Sequence, residues 1–336
     1  MSCTSIPTAA DEPLILTGTL IQSFANPTHP VTRCSLRLTG SNVSAVKFIS
    51  RTEIGYATNT STDSPTLGVT EFWRLSLIDK RPLRVAKANG SALDFAWSPD
   101  GSNFAYLMQP GGGNQFWMKV GATAPRALTA VLGVGGREFV GGDELTVRFS
   151  PDGKYLLMVD TIIQGATADR ASFQIRSVPA GKLVWVPPSA LKGPAYFTSM
   201  TAWSHLSDRL YFDDGLERIS KWDPPATIGT LAANSHWYAP SISPDDRLVA
   251  YEASVSDGKP HVAIRDLVSG TIRMLSGNLG RPTLISDQWL IESHMVYTAS
   301  PLGAYWWPGS YHLLNLLSNV ETALPKDFAM DDVWVG

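Results

Sequence analysis

Asn42, Asp143 and His236 each stand six residues before an aromatic or aliphatic residue (Phe48, Phe149 and Ile242) that ends an expected strand. An amide, a carboxylate and an imidazole at equivalent places in three repeats form a donor set able to hold a polar ligand or a metal ion. Glu144 and His236 carry groups suited to general acid or base work, and Arg148 can stabilise developing negative charge. Asp143, Glu144, Arg148 and His236 are therefore the candidate catalytic residues. A second set suits binding: Tyr305, Trp306 and Trp307 are flat side chains that can stack on sugars or clasp a peptide, and Tyr238, Asp94 and Asn42 add contacts. A polar residue at a strand start more commonly satisfies an open backbone group or faces water. The six histidines (His29, His205, His236, His261, His294, His312) form no His-x-His or His-Glu-x-x-His pattern, so neither a metal nor a cofactor is expected.

These residues are positioned by a repeat. Ser-Pro-Asp-Gly occurs at Ser98 to Gly101 and at Ser150 to Gly153, and Ser243-Pro244-Asp245-Asp246 departs only at its last residue. Each copy follows an apolar residue (Trp97, Phe149, Ile242) and precedes an apolar run, which reads as strand, tight turn, strand. Proline presets φ, serine and aspartate bond back to the turn, and glycine takes the place where a Cβ would clash. Weaker copies anchor on Phe48, Trp203, Trp289 and Trp334. The seven anchors are spaced 49, 52, 54, 39, 47 and 45 residues apart, the period of propeller blades.

After each turn come a second strand, a third such as Gln115-Phe116-Trp117-Met118-Lys119, and a short fourth run such as Thr271-Ile272-Arg273-Met274-Leu275. Alternation and β-branched and aromatic enrichment favour strands, and no long stretch has a helical period. The expected fold is all-β, a propeller of four-stranded blades, seven favoured and six possible, with the ring closed by strands from both termini. The chain ends just after an innermost-type strand around Trp334, and residues 13 to 23 and 32 to 39 can supply its partners. Residues 1–12 are expected to form a flexible tail and 13–336 a single domain.

The chain resembles the TolB-like, WD40-like PD40 propeller family, whose blades carry a Trp-Ser-Pro-Asp-Gly turn followed by an apolar strand and an aromatic-rich third strand. Phe95 to Gly101 matches closely, Arg148 to Gly153 nearly so, and Ser241 to Asp246 less well. The resemblance implies the fold and is nearly silent on function, because such relatives include accessory proteins of envelope complexes, propeller portions of serine peptidases and some lyases.

Within the innermost strands, Lys47, Asp94, Arg148, Gln288 and Asp331 are expected to pair around the bore or to grip a ligand. Loops between second and third strands are expected at 161–170 and 299–309. Gly111-Gly112-Gly113 is a turn and not a phosphate loop, since no Gly-Lys-Ser/Thr follows. Nearly all of the 336 residues are used by blades, with no Gly-x-Ser-x-Gly elbow. A net charge of -3, 17% charged residues and no basic run argue against nucleic acid as a partner.

No apolar stretch is long enough for a membrane span, and the N-terminus lacks the basic and apolar regions of a signal peptide. Taken as given the chain reads as cytoplasmic and monomeric; an envelope or extracellular place follows if a leader was removed, and Cys3 would suit a lipoprotein whose leader had been replaced. Cys34 reads as a buried small residue, with a Cys3 to Cys34 bridge conceivable. The expected function is a binding or interaction scaffold taking a protein, peptide or glycan at one channel mouth. The alternative is a hydrolase or lyase acting there on a carbohydrate or small polar substrate.

Overall fold

The computed structural model describes residues 2–3, 13–17, 19–24, 31–39, 42–60, 68–109, 115–129, 146–163, 169–186, 191–192, 201–213, 218–224, 227–233, 237–254, 259–300, 303–326, 328, 330 and 332–334. Every regular element among them is a strand. The chain begins with β1 (Ser2–Cys3), β2 (Leu14–Thr17), β3 (Leu20–Ser23) and β4 (Val31–Ser35). Blade one is β5 (Val43–Ser50), β6 (Glu53–Asn59), β7 (Val69–Ser76) and β8 (Pro82–Asn89). Blade two is β9 (Ser91–Trp97), β10 (Asn103–Gln109), β11 (Gln115–Val120) and β12 (Arg126–Ala127). Blade three is β13 (Thr146–Phe149), β14 (Tyr155–Ile163), β15 (Asp169–Ser177) and β16 (Leu183–Trp185), with β17 (Leu191–Lys192) added to β15.

Blade four is β18 (Thr201–Trp203), β19 (Leu210–Asp213), β20 (Arg218–Asp223) and β21 (Thr227–Ala233). Blade five is β22 (Trp237–Ile242), β23 (Leu248–Ser254), β24 (Pro260–Asp266) and β25 (Ile272–Met274). Blade six is β26 (Leu279–Leu284), β27 (Trp289–Ser300), β28 (Gly303–Asn315) and β29 (Glu321–Ala323). The last strand, β30 (Asp332–Trp334), pairs antiparallel with β2, giving a seventh sheet in the order β1-β4-β3-β2-β30. The fold is a seven-bladed β-propeller closed by strands from both termini, as the terminal strand pattern predicts.

Packing shows the closure independently, because there is one buried cluster for each of the seven blade interfaces. Strand alternation sends Leu14 and Leu16 of β2 against Ile54, Tyr56 and Leu75 of blade one, while Ile15 between them packs on Ile285, Ile291 and Leu313 of blade six. The interface of blades one and two is aromatic: Phe72 meets Phe95 at 5.8 Å and Phe104 at 5.1 Å between ring centroids, and Trp97 meets Phe104 at 4.5 Å. First strands touch between blades seven and one, one and two, two and three, four and five, and five and six, which places them at the centre of the ring.

The Ser-Pro-Asp-Gly turns form as their residue types dictate. Ser98 Oγ donates to Asp100 Oδ1 (2.5 Å) and accepts from Asn103 N (2.9 Å), while Asp100 accepts from Ser102 N (3.0 Å) and Gly101 sits at φ +67°. Ser150 and Ser243 repeat the arrangement. In the third copy Asp246 holds the left-handed position at φ +58°. Its carboxylate reaches the turn of blade four, accepting from His205 N (2.6 Å), Leu206 N (3.0 Å) and Ser204 Oγ. A side chain there joins two blades, which explains the departure from glycine.

One anchor is corrected. In blade six the turn serine is Ser286, whose Oγ accepts from Gln288 N (3.2 Å) and Trp289 N (3.1 Å), so the residue before the turn is Ile285. Trp289 opens the second strand instead of ending the first. Within the segment expected as a tail, Ser2–Cys3 pairs with β4, setting Cys3 opposite Cys34. Cys34, fully buried, is disulfide-bonded, and Cys3 is the only other cysteine in the chain.

Candidate functional site

Strand order fixes which face carries which connection. First strands run from the face where the chain enters each blade to the face carrying the Ser-Pro-Asp-Gly turns, so the hairpins joining second to third strands share the entry face. The side chains around that face and the bore fall into three groups.

The inner wall joins blade to blade. Lys47 of β5 is ion-paired with Asp94 of β9, and the second oxygen of Asp94 accepts from Thr146 Oγ1 (2.9 Å) and Val147 N (2.8 Å) of β13. Three blades are linked through one carboxylate. Asp332 of β30 accepts from Phe48 N (2.6 Å), and Ser241 of β22 accepts from Leu284 N (2.9 Å). Both carboxylate oxygens of Asp94 are thus engaged in ring structure. Arg148 is exposed and makes no ion pair among the described residues. Gln288 lies in the turn before β27 and not in an innermost strand, and Asp331 is outside the described residues.

Of the residues expected to do chemistry, Asp143, Glu144 and His236 also lie outside the described residues. Asn42 is exposed at φ +53°, and its carbonyl accepts from Asn59 N (3.1 Å). Tyr238 lies in β22 opposite Glu252. Tyr305, Trp306 and Trp307 are in β28 and not in a loop: β27 and β28 pair out to Ser300 and Gly303, setting these three opposite Thr298, Tyr297 and Val296. In the other expected loop, residues 161–163 and 169–170 are strand, since β14 and β15 pair out to Ile163 and Asp169, and residues 164–168 lie outside the described residues. In blade six, β26 pairs with β27 only as far as His294, and β29 with β28 only from His312 onward. Residues 295–300 and 303–308 therefore form a two-stranded ribbon beyond the four-stranded sheet, and Val296 and Tyr297 are each 55% exposed on it.

At the root of this ribbon four side chains meet that sequence spacing does not connect. Glu292 is directly opposite His312, His294 is two residues along the same strand, and Glu321 extends the set from β29. Period-2 alternation puts all four on the face toward blade five. The imidazoles of His294 and His312 are stacked at 3.8 Å with planes 2° apart. Glu321 Oε1 lies 2.8 Å from His294 Nε2 and 2.5 Å from His312 Nδ1. The remaining ring nitrogen of His312 is 2.8 Å from Ser310 Oγ.

Glu292 is fully buried, neither of its oxygens has a hydrogen-bond partner, and Oε1 lies 3.6 Å from His294 Nε2. Burial, followed by the charge of Glu321, pushes the Glu292 carboxyl up to about 8. Burial and then the charge of His294 lower the His312 pKa, against the pull of Glu321. Gly309 makes the approach possible: a Cβ there would stand 2.6 Å from the His294 carbonyl oxygen. The sequence signal was two short alternations, Glu292-x-His294 and Ser310-x-His312, whose meeting depends on strand register.

No family model matches the chain, and no curated protein matches it. Solved structures do. The chain is similar to a prolyl endopeptidase (12% identity, TM-score 0.57), covering 97% of this chain and 50% of that one. It is also similar to a putative 6-phosphogluconolactonase from Bacteroides fragilis (14% identity, TM-score 0.53; 98% and 99% covered). A third is the β-propeller domain of the trilobed protease from Pyrococcus furiosus (9% identity, TM-score 0.54; 85% of each chain). At these identities the likeness shows the propeller fold alone. The chain spans half of the endopeptidase it matches.

Proposed function

We propose that this propeller is a binding scaffold that holds a protein, peptide or glycan partner at its entry face, with the β27–β28 ribbon as the contact arm. The ribbon carries the reading. A two-stranded hairpin is marginal in water without a third strand or a covering layer, yet this one continues past its sheet and displays Val296 and Tyr297 to solvent. It also holds Tyr305, Trp306 and Trp307 in one three-residue run, an aromatic density typical of interface anchors. On the inner wall, by contrast, Lys47, Asp94 and Asp332 are engaged in joining blades.

Arrays of peptides and glycans, read by retention of the labelled protein, test the reading. Binding to a defined set of probes, lost in Trp306→Ala and Trp307→Ala at unchanged Tm, is expected. Binding that survives both substitutions would place the contact elsewhere.

A further inference from the structure

We infer that His294, His312 and Glu321 bind one divalent transition-metal cation, for which zinc is the best match, beside the buried carboxylate of Glu292. The inference is independent of what the ribbon binds. Two imidazole nitrogens and a carboxylate oxygen are donors that favour zinc and its neighbours over calcium or magnesium, which take all-oxygen sets. The three donor atoms all lie within 4.8 Å of one another, among the described residues the one such group of histidine, cysteine and acidic side chains.

Two further observations point to a cation. His294 Nε2 is 2.8 Å from Glu321 Oε1 but out of hydrogen-bonding alignment, so the atoms converge without bonding to each other. Glu292 sits behind them fully buried, with both oxygens lacking a hydrogen-bond partner. An ionised carboxylate in that position is costly unless a positive charge faces it.

The outer support is also present. With Nδ1 of His312 given to the metal, its Nε2–H donates to Ser310 Oγ, the partner that fixes the ring and its tautomer. His294 and His312 are the last residues of the four-stranded part of blade six, so the metal would clamp the ribbon at its root.

Full-length protein stripped with a chelator, then freed of it, is titrated with Zn²⁺ by calorimetry while Tm is followed. One zinc per chain and a raised Tm are expected. Glu321→Gln, on the exposed outermost strand, and His312→Ala should each abolish that binding while Tm without metal stays near the parent's for Glu321→Gln. Glu292→Gln should weaken it about 10- to 100-fold. Absence of saturable binding by the parent, or undiminished binding in Glu321→Gln and His312→Ala, overturns the site and assigns any bound zinc to scattered surface histidines.

Discussion

The indole of Trp97 in blade two fills the space that a side chain would take at Gly55 in blade one: a Cβ built at Gly55 would stand 2.0 Å from its Cζ3 and 2.2 Å from its Cη2. The glycine sits in mid-strand, where its lack of a side chain costs β stability, and close approach of the neighbouring blade is what the position gains. Gly55→Ala forces the indole out of the aromatic cluster with Phe95 and Phe104 and should cost about 1–3 kcal/mol in urea unfolding. Adding Trp97→Leu should return part of the loss; a double variant no better than Gly55→Ala would contradict the pairing.

Asp94 links three blades, so its replacement should act through the ring. Asp94→Ala leaves Lys47 without its carboxylate and Val147 N without its acceptor, and an expected loss of about 3–5 kcal/mol follows from breaking a largely buried pair on one side. Lys47→Met should cost less, because Asp94 keeps both bonds to blade three. Equal losses for the two would show that the charge pair, and not the link to Thr146 and Val147, dominates.

Asp246→Gly relieves a positive φ, and by local rules alone should stabilise the turn. It also removes the bonds from Asp246 to Ser204, His205 and Leu206. A net destabilisation of about 1–3 kcal/mol is expected; a stabilised variant would show that the contact between the turns of blades four and five contributes little.

How much of this was legible in sequence follows the range of the interactions. The turns at Ser98, Ser150 and Ser243 were readable because serine, aspartate and glycine act within six residues of chain. The closing sheet was readable because a strand at Trp334 needs partners that the N-terminal strands can supply. The blade-six anchor was misplaced at Trp289 because that turn has no proline or glycine, and Ser286 alone does its work. Pro301, Gly303, Pro308 and Gly309 suggested a loop where β27 and β28 stay paired. Proline is tolerated at the bulge between Ser293 and Met295, where the register shifts. The cluster at His294, His312 and Glu321 was invisible, since three strands must pair in one register before it exists.

Stability should depend on pH through Asp208. Burial, then the hydrogen bond and charge of Asp152, raise its carboxyl to about 6. In Asp152, burial pushes upward but hydrogen bonds from Lys154, Asp208 and Ser150 carry it down to about 2. A raised folded-state pKa gives stability that is present below the unfolded value near 3.9 and lost as pH rises through about 6. Asp152 changes only at lower pH, so Asp208→Asn should reduce the decline in unfolding free energy between pH 4 and about 7, leaving the part that the raised carboxyl of Glu292 contributes. An unchanged slope would remove Asp208 as its source.

The claim that the ribbon is the contact arm is tested most directly by site-specific photo-crosslinking in the cells that make the protein. A benzophenone amino acid replaces Tyr297 on the ribbon or, as a control, Leu83, which is 65% exposed on the outermost strand of blade one. A discrete adduct formed from position 297 and absent from position 83 is the predicted result. No adduct at 297, or the same adducts from both positions, would contradict it.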